Sequence, residues 1–486
     1  KYLGTTSNLQ SFKQLPASFS KFQEKLKLLS SSPLFPFQKL ELLRVYLYPL
    51  LEYTMKTTCL RIEDLKKMDA LIASNVRTWL QLPKSSTRAL LYVPVSMGGL
   101  GLRYLHKDFA ALRLASGLDI LNSRDERIQN IACNALKEIV QHRSSQNQSP
   151  SLVNYLNQDS ELTHTRDIRS LLSSIRINRK ALGVHLIDHS DNPAIIDLNR
   201  DSLHDPSNLQ PHQILSATRI RRLRWHISEV WCHMWRAQKD QGRAVDCFCW
   251  LPASNAWIRK CNMGIATYKF AVKSRINVLP VRYVLKKAKV APDMRCRRCP
   301  CDSESLGHVL NGCPFGNAGI VKRYDDILKL VADTIKLPSQ WSMHLGKQVP
   351  LISSTRKPDI VLINDDTHEV IIIEVAICYE QCMSRMNEIR ERKMTKYCPE
   401  KRELEQKGYK CDLYALVFGS LGSHHPQNDE VYASLKLQRR RRTRLLRDVT
   451  STTLNSSRLI YNAHVKPTTA PSNIVKYTHE LDSLNL

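Results

Sequence analysis

The sequence lacks acidic residues relative to basic ones, and it also lacks long apolar segments and internal repeats. Asp and Glu number 45 against 72 Lys and Arg, which gives a formal net charge of +27 over 486 residues. This positive charge is spread along the chain and predicts a polyanionic partner, of which nucleic acid is the commonest. No apolar run reaches the roughly 18 residues that a transmembrane helix needs, so no membrane partner is expected.

The fourteen cysteines do not have the spacing of a disulfide framework. Cys296, Cys299, Cys301 and Cys313 crowd into one short segment with His308, and the other cysteines are scattered. This distribution predicts a reducing compartment and one metal site. Three thiolates and one imidazole suit tetrahedral Zn²⁺, so we predict Cys296, Cys299, His308 and Cys313 as the zinc ligands, with Cys301 as the alternative to Cys299.

The apolar pattern changes along the chain, and the length predicts several units rather than one ordinary domain. Residues 21–121 have apolar side chains at helical spacing. Residues 122–295 alternate helical segments with polar loops. After the cysteine segment, residues 316–450 combine β-rich and helical segments, whereas residues 451–486 are polar and are expected to be loosely ordered.

Two β-rich apolar segments, Asp359–Ile363 and Glu369–Cys378, are joined by residues typical of a turn. A hairpin that is symmetric about this turn places Asp359 opposite Glu374, with Cβ atoms about 5 Å apart. Two carboxylates at that distance repel each other unless a cation lies between them, and oxygen ligands suit Mg²⁺. The alternative is a pair of solvated carboxylates, but Glu374 is embedded in an apolar run, where an unpaired charge is costly.

The order Pro358-Asp359, then Glu374, resembles the PD-(D/E)xK nuclease signature. That signature places a lysine two residues after the second acidic residue, and this chain has Ala376 there. The small side chain of Ala376 lies on the same face of the strand as Glu374, so it leaves room for a lysine from another element.

The helix that follows, predicted at about Gln381–Tyr397, supplies candidate lysines. Lys393 is predicted to project its ammonium towards the carboxylates, orient the attacking water and stabilise charge on the phosphate. Lys396 is the competing candidate, and Tyr397 lies one turn after Lys393. We therefore predict Lys393, Lys396 and Tyr397 as catalytic residues together with the two carboxylates.

Several motifs occur in the order that one family shows. They are Lys1–Gly4, Asn75–Pro83, Gly98–Gly101, Arg275–Arg282, Cys296–Cys313, Thr355–Val361 with Glu374, and Arg392–Tyr397. Together they resemble the Pol polyproteins of site-specific non-LTR retrotransposons of the R-two type, and the resemblance covers nearly the whole chain. The last two motifs are similar to the restriction-like endonuclease of that family.

The resemblance implies a multidomain protein with a mostly α-helical thumb and linker, a small zinc knuckle and an α/β restriction-like endonuclease domain of the PD-(D/E)xK type. The implied segments are the end of a reverse-transcriptase palm at 1–20, the thumb at 21–121, a helical basic linker at 122–295, a CCHC zinc module at 296–315, the endonuclease at 316–450 and a polar tail at 451–486.

The resemblance also implies a function, with Mg²⁺ and Zn²⁺ as cofactors. The endonuclease would nick target genomic DNA in the nucleus, and the exposed 3′-hydroxyl would prime copying of the element RNA. The paired aspartates of the family's RNA-directed DNA polymerase are not found here, and we expect them upstream of Lys1 in a longer polyprotein. The alternatives are a catalytically inactive nucleic-acid-binding remnant and a host protein derived from such an element.

Two arginine-rich segments are the main candidate nucleic-acid contacts. One contains Arg219, Arg221, Arg222 and Arg224, and the other contains Arg439, Arg440, Arg441 and Arg442. Both segments suit phosphate binding. For Arg439–Arg442 the alternatives are a nuclear address and a solvated basic helix. The family carries a short Arg-His pair after the zinc module, and Arg323-Tyr324 stands there in this chain, so Arg323 alone is carried over as a nucleic-acid contact.

Overall fold

The computed structural model describes residues 16–58, 60–143, 151–157, 170–189, 192–199, 218–249, 251–260 and 262–466. Most of the segment predicted as the end of a palm, residues 1–20, lies outside the described residues, and so does the segment after 466. Among the described helices, none has the length and the apolar character needed to cross a membrane.

Helices account for most of the described chain. Their bounds are α1 Ala17–Ser31, α2 Pro36–Leu42, α3 Tyr48–Thr57, α4 Ile62–Leu80, α5 Ala89–Tyr92, α6 Leu105–Leu121, α7 Glu126–Arg143, α8 Leu152–Asn157, α9 Leu171–Leu182, α10 Arg219–Arg236, α11 Val245–Phe248, α12 Ile265–Arg275, α13 Arg282–Lys287, α14 Leu306–Asn311, α15 Asn317–Thr334, α16 Met383–Lys396, α17 Cys398–Gln406, α18 Asn428–Ser434 and α19 Arg439–Val465. A π-helical turn covers Leu43–Leu47, and 3₁₀ turns cover Val95–Met97, Pro252–Ile258 and Pro314–Gly316.

The strands of the described residues form two sheets. Their bounds are β1 Leu186–His189, β2 Asn192–Leu198, β3 Trp341–Leu345, β4 Ile360–Asn364, β5 Glu369–Cys378 and β6 Lys410–Gly419. Strands β1 and β2 form an antiparallel hairpin, and the other strands form a four-stranded mixed sheet. The protein is thus mostly helical with a small mixed sheet, as the sequence predicts in outline.

The chain divides into two compact units. The first lies within Lys1–Leu34, Gln38–Val76 and Gly101–His233, and the second within Phe35–Phe37, Arg77–Leu100 and Met234–Leu486. The segments predicted as thumb and linker each contribute residues to both units. The assignment of those segments to a thumb and a linker stays a prediction.

The core of the first unit is built around α6, which is buried along most of its length. Phe109, Leu114 and Leu118 are all buried, which is typical of a helix in the interior of a unit. Gly117 permits a close approach of α9, because a Cβ atom at that position would lie 2.6 Å from the side chain of Ile175. Residues of α7, α8 and the β1–β2 hairpin complete this core. The hairpin lies within residues 122–295, for which helices and polar loops were predicted. The hairpin itself was not predicted.

The second unit contains the mixed sheet, in the strand order β3-β4-β5-β6. Neighbouring strands are antiparallel from β3 to β5, whereas β5 and β6 are parallel. The predicted hairpin strands agree with β4 and β5 to within one residue. Strand β3 was not predicted, although its sequence Trp-Ser-Met-His-Leu alternates between apolar and polar residues.

Strands β4 and β5 are covered on both faces, which explains their continuous apolar sequences. Ile360 and Leu362 pack into a core that includes residues of α15 and α19. Val361 and Ile363 point to the opposite face and pack into a second core with Leu404 of α17. Helices on both sides therefore hold the hairpin that carries the two carboxylates.

Helix α19 continues to Val465, so the prediction of a polar, loosely ordered tail is wrong for residues 451–465. Leu454, Ser457 and Ile460 are buried along one side of the helix. The hydroxyl of Ser457 donates to the Ser420 carbonyl at 2.7 Å. The composition of this segment is polar, but its buried positions recur at helical spacing, which is typical of the inner side of a helix that packs on a core.

Strand β6 lies at one edge of the sheet, and that edge is covered. The amide side chain of the buried residue Asn428 pairs with Val417 as a neighbouring strand would. The Val417 N–H donates to Asn428 Oδ1 at 2.9 Å, and Asn428 Nδ2 donates to the Val417 carbonyl at 2.9 Å. This pairing satisfies backbone groups that an edge strand otherwise leaves open.

We predict that Asn428→Ala destabilises the second unit by about 1–3 kcal/mol, because it leaves the buried Val417 N–H without a partner. Hydrogen exchange of the β6 amides in the intact chain measures this change locally. The neighbouring Gln427 is exposed, and Gln427→Ala should change stability by less than about 0.5 kcal/mol. Equal exchange in the two variants would show that the side-chain pairing contributes nothing.

Candidate active site and metal centre

Two carboxylates meet where the β4–β5 hairpin begins. The register pairs Ile360 with Ile373, and the next pair outward is Asp359 with Glu374, so the predicted register is confirmed. The backbone N–H of Asp359 donates to Glu374 Oε1 at 3.2 Å, and the N–H of Val375 donates to Asp359 Oδ2 at 2.6 Å. Glu374 is 1% exposed and Asp359 is half-buried, so the pair lies at the border of the core.

Lys393 of α16 reaches this pair. Its Nζ atom donates to Glu374 Oε2 at 2.8 Å. Lys396, the competing candidate, is exposed and donates instead to the Tyr397 hydroxyl at 2.9 Å. The structure therefore brings Lys393 to the carboxylates and does not bring Lys396 there. The catalytic role of either lysine stays a prediction.

Two tyrosines adjoin the carboxylates. Tyr397 is buried, and its hydroxyl donates to the Lys357 carbonyl at 3.0 Å. Tyr324 of α15 lies close to Asp359. Burial, and then the nearby carboxylates, raise the pKa of both phenols well above the usual value, so both are neutral hydrogen-bond donors at neutral pH. Tyr324 was not predicted as a site residue, because its contact with Asp359 joins a helix to a distant strand.

Arg323 lies inside the protein, so the prediction that it contacts nucleic acid is wrong. Its side chain is fully buried and donates to Ser457 Oγ and to the Leu310 carbonyl, both at 2.9 Å. Burial lowers the pKa of Arg323 to about 10, which still leaves it charged at neutral pH. Arg323 thus connects α14, α15 and α19, while its neighbour Tyr324 contacts the candidate active site.

An open groove follows the exposed side of α16. Its lining combines cationic, acidic and uncharged residues, namely Arg356, Glu388, Glu391, Arg392, Thr395, Lys396 and Pro399. Arg356 donates a hydrogen bond to the Lys396 carbonyl of α16 and forms an ion pair with Glu400 of α17 at 3.3 Å. Lys396 thus lines this groove, while its ammonium donates to the Tyr397 hydroxyl.

The predicted metal ligands Cys296, Cys299, His308 and Cys313 converge, with all ligand atoms within 4.8 Å of one another. The Sγ atom of Cys313 lies 3.9 Å from that of Cys296 and 3.8 Å from that of Cys299. The Cys299 Sγ and His308 Nε2 atoms are 3.3 Å apart. A tetrahedral ion with metal–sulfur bonds of about 2.3 Å gives sulfur–sulfur distances of about 3.8 Å, so this spacing fits one metal ion.

Cys301 does not join this cluster. Its thiol is directed to the Ser303 carbonyl at 3.6 Å. Its own carbonyl accepts the Cys296 N–H at 2.8 Å and so helps to shape the loop that holds the first two ligands. Helix α14 positions His308, and its first turn is capped by the Ser305 hydroxyl, which accepts the His308 N–H at 3.2 Å. Of the two alternatives, the geometry favours Cys299 as the ligand.

Three of the predicted nucleic-acid arginines of α10 form ion pairs within the first unit. Arg219 lies 2.9 Å and Arg222 lies 3.7 Å from the carboxylate of Asp197. Arg224 lies 2.7 Å from the buried carboxylate of Asp108. These charges are already partly neutralised inside the unit, and their role in nucleic-acid binding stays a prediction.

Arg221 differs from the other arginines of α10. Its side chain is exposed, and its guanidinium lies over the ring of Trp225, 4.9 Å from the ring centroid. A guanidinium on an aromatic ring keeps its N–H donors available for a phosphate. Arg221 is therefore the residue of this group that is best placed to contact a polyanion.

The other predicted arginines form the first turn of α19. Arg439, Arg440 and Arg441 are exposed and form no ion pair with another described residue, whereas Arg442 pairs with Asp429 at 2.5 Å. Positive charge at a helix N-terminus opposes the helix dipole and is locally unfavourable. Residues that are unfavourable for the helix in which they lie are typical of a functional surface.

Similarity to known proteins adds an independent observation. No protein-family model matches the sequence. The chain is 23% identical over 447 residues to the retrovirus-related Pol polyprotein from the type-1 retrotransposable element R2 of Popillia japonica, covering 90% of this chain and 76% of that protein. It is 22% identical over 372 residues to the same type of protein from Nasonia vitripennis, of which it covers 28%.

A shorter match has higher identity. The chain is 39% identical over 90 residues, 18% of its length, to the retrovirus-related Pol polyprotein from the type-2 retrotransposable element R2DM of Drosophila melanogaster, of which it covers 8%. The predicted resemblance to R-two type Pol polyproteins is confirmed by these relatives.

We predict that the purified chain carries about one equivalent of metal at the Cys/His cluster. Cys299→Ser should reduce the bound metal to less than about half an equivalent, because a tetrahedral site loses one of its four ligands. Cys301→Ser is the matched control and should retain the metal. Elemental analysis of the purified proteins measures both, and retention by Cys299→Ser with loss by Cys301→Ser would contradict the assigned ligand set.

Proposed function

We propose that this chain, whose homologues are Pol polyproteins of R2 retrotransposable elements, is a Mg²⁺-dependent endonuclease that nicks target DNA for target-primed reverse transcription. The observation that carries the proposal is the arrangement of Asp359, Glu374 and Lys393 at the border of the mixed sheet. We interpret this part of the second unit as a restriction-like domain of the PD-(D/E)xK type, with its lysine supplied by α16.

The carboxylate pair fits a Mg²⁺ ion in charge and in donor type. Asp359 and Glu374 face one ammonium, that of Lys393, which leaves one net negative charge. Oxygen donors are those that Mg²⁺ prefers, and one or two carboxylates suffice because water and substrate phosphate supply the other ligands. When bound, the ion would activate water and stabilise negative charge on the phosphate.

The residues around the pair have separate roles in this proposal. Glu374 accepts one hydrogen bond at each oxygen, from the Asp359 N–H and from Lys393, so its orientation is fixed before substrate binds. The ammonium of Lys393 would stabilise the charge that develops on the phosphate. Tyr324 and Tyr397 are neutral donors that hold the surrounding carboxylates and backbone in place.

We infer that the ion of the Cys/His cluster is Zn²⁺, because three thiolates and one imidazole are a structural zinc ligand set.

The proposed partners are target genomic DNA and the element RNA, and a nuclear location follows from action on genomic DNA. The groove along α16 and the first turn of α19 are the surfaces that we propose for the DNA. The second candidate function, an inactive nucleic-acid-binding remnant, shares the charge of +27 but requires no intact carboxylate pair.

We predict that Asp359→Asn and Lys393→Ala each reduce DNA nicking by about 100-fold or more, since each removes a group that acts on the reacting phosphate. Lys396→Ala should reduce nicking by less than about 10-fold, because its ammonium donates to the Tyr397 hydroxyl and forms no ion pair with either carboxylate. The measurement is conversion of supercoiled DNA to open circles with Mg²⁺, with DNA binding measured in parallel.

Two results would change this assignment. If Lys396→Ala abolished nicking and Lys393→Ala did not, the roles of the two lysines would be reversed. If the unaltered chain and Asp359→Asn showed equal, low nicking while both bound DNA, the inactive remnant would be the better description.

We predict that replacing Arg439, Arg440 and Arg441 with Ala weakens DNA binding and reduces its salt dependence. Each lost phosphate contact should lower the slope of log affinity against log salt by about 0.9. The matched control replaces the same residues with Lys, which keeps the charge and should keep most of the slope. Binding isotherms at several salt concentrations measure the slope, and an unchanged slope in the Ala variant would rule out this turn as a phosphate contact.

A further inference from the structure

The last helix reaches the Cys/His cluster through one buried side chain. His464, at the C-terminal end of α19, is fully buried. Its Nε2 atom lies 3.6 Å from Cys296 Sγ and 3.2 Å from Glu304 Oε2. The ligand atoms of these three residues lie within 4.8 Å of one another, and the group shares Cys296 with the main cluster.

This second group is better explained by hydrogen bonds than by a second metal ion. The Arg297 guanidinium donates to Glu304 Oε1 at 2.7 Å and to Oε2 at 2.9 Å, and the Arg282 N–H donates to Oε1 at 2.9 Å. Burial acts to raise the pKa of Glu304, but hydrogen bonds from His464 and Arg297 lower it to about 2. Glu304 is therefore an ionised carboxylate whose charge is already balanced by Arg297, and it has no need of a cation.

The loop between the first two metal ligands also caps the end of α19. Arg298 donates from Nε to the His464 carbonyl at 2.9 Å, and its guanidinium also bonds the Lys466 carbonyl. Arg297 donates to the Val465 carbonyl at 3.4 Å. The last carbonyls of a helix have no partner inside the helix, and cations are favourable there because of the helix dipole.

The surroundings of the two ring nitrogens of His464 indicate which of them carries the proton. The other ring nitrogen, Nδ1, is buried without a hydrogen-bond partner among the described residues. Nε2 is thus the atom that connects the ring to its neighbours, and a proton on it faces both Glu304 and the Cys296 sulfur. A thiolate that binds a metal accepts such a hydrogen bond, and partners of this kind orient metal ligands and strengthen metal binding.

We propose that His464 is a positioning residue of the metal centre, and that metal binding and docking of the C-terminal end of α19 stabilise each other. Its Nε2–H is shared between Glu304 and Cys296, while Arg297 and Arg298 bind the helix end from the metal-binding loop. The same helix packs Leu445 and Val449 against the mixed sheet. The metal centre thereby stabilises a helix that belongs to the core around the sheet. This inference concerns metal binding and holds whether or not the chain cleaves DNA.

The test compares two replacements of His464 in the full chain. His464→Phe keeps a ring of similar size and removes the N–H donor, so Zn²⁺ affinity should fall by about 10- to 100-fold. His464→Gln places an amide N–H near the position of Nε2 and should recover most of the affinity. The exposed neighbour Ala463 provides the control, since Ala463→Ser should leave Zn²⁺ binding unchanged.

Two readouts are measured on the same proteins. Competition with a chromogenic chelator gives the Zn²⁺ affinity, and hydrogen exchange of residues 451–465 reports on the helix end. Removal of Zn²⁺ from the unaltered chain should speed exchange in this segment, and His464→Phe should speed it even with Zn²⁺ present. Zn²⁺ affinity in His464→Phe equal to that of the unaltered chain would overturn the proposal. So would equal losses in the Phe and Gln variants, since that result indicates packing rather than hydrogen bonding.

A second variant keeps the proposal testable if His464→Phe does not fold. Arg298→Ala removes the bonds to the helix carbonyls and leaves His464 and all four metal ligands in place. It should weaken Zn²⁺ binding and speed exchange at the helix end together. Faster exchange with unchanged Zn²⁺ affinity would show that the two events are independent and would overturn the proposal.

Discussion

A carboxylate on a strand that is covered on both faces must find hydrogen-bond partners, because an unpaired charge in that position costs several kcal/mol. Glu374 is in this position, and its two oxygens take their partners from two different elements, the backbone of Asp359 at the start of β4 and the ammonium of Lys393 on α16. The requirement to satisfy one buried charge thus fixes a strand end and a helix relative to each other. The arrangement of Asp359, Glu374 and Lys393 that we propose for catalysis is therefore already imposed by the burial of Glu374.

The parts of this site that could be predicted from the sequence are those set by local geometry. The turn residues and the apolar runs fix the register of the β4–β5 hairpin, and the register places Asp359 against Glu374. Close spacing along the chain likewise brings the Cys/His cluster together. In both cases the residues are near in sequence. Their spacing along the chain is therefore sufficient to predict that they lie together.

The parts that could not be predicted depend on which way a helix faces. Arg323 and Tyr324 are neighbours, yet Arg323 turns into the core and Tyr324 turns to Asp359. Lys393 and Lys396 lie one turn apart, and only packing against β5 determines which of them reaches Glu374. The burial of residues 451–465 depends on partners more than a hundred residues away, such as His464 with Glu304. Sequence periodicity defines a helix, but the choice of its buried side needs the tertiary structure.

The length of α19 limits where a gene that encodes this chain can acquire a premature stop codon without loss of the fold. This helix covers 27 residues, which corresponds to about 40 Å, and it supplies buried side chains along most of that length. A stop codon shortly after residue 450 would remove Leu454, Ser457, Ile460 and His464 from the interior while leaving the candidate active site untouched in the reading frame. Late truncations of this kind would therefore produce misfolded proteins rather than shortened active ones, and the codons up to His464 should be under selection for folding and for metal binding.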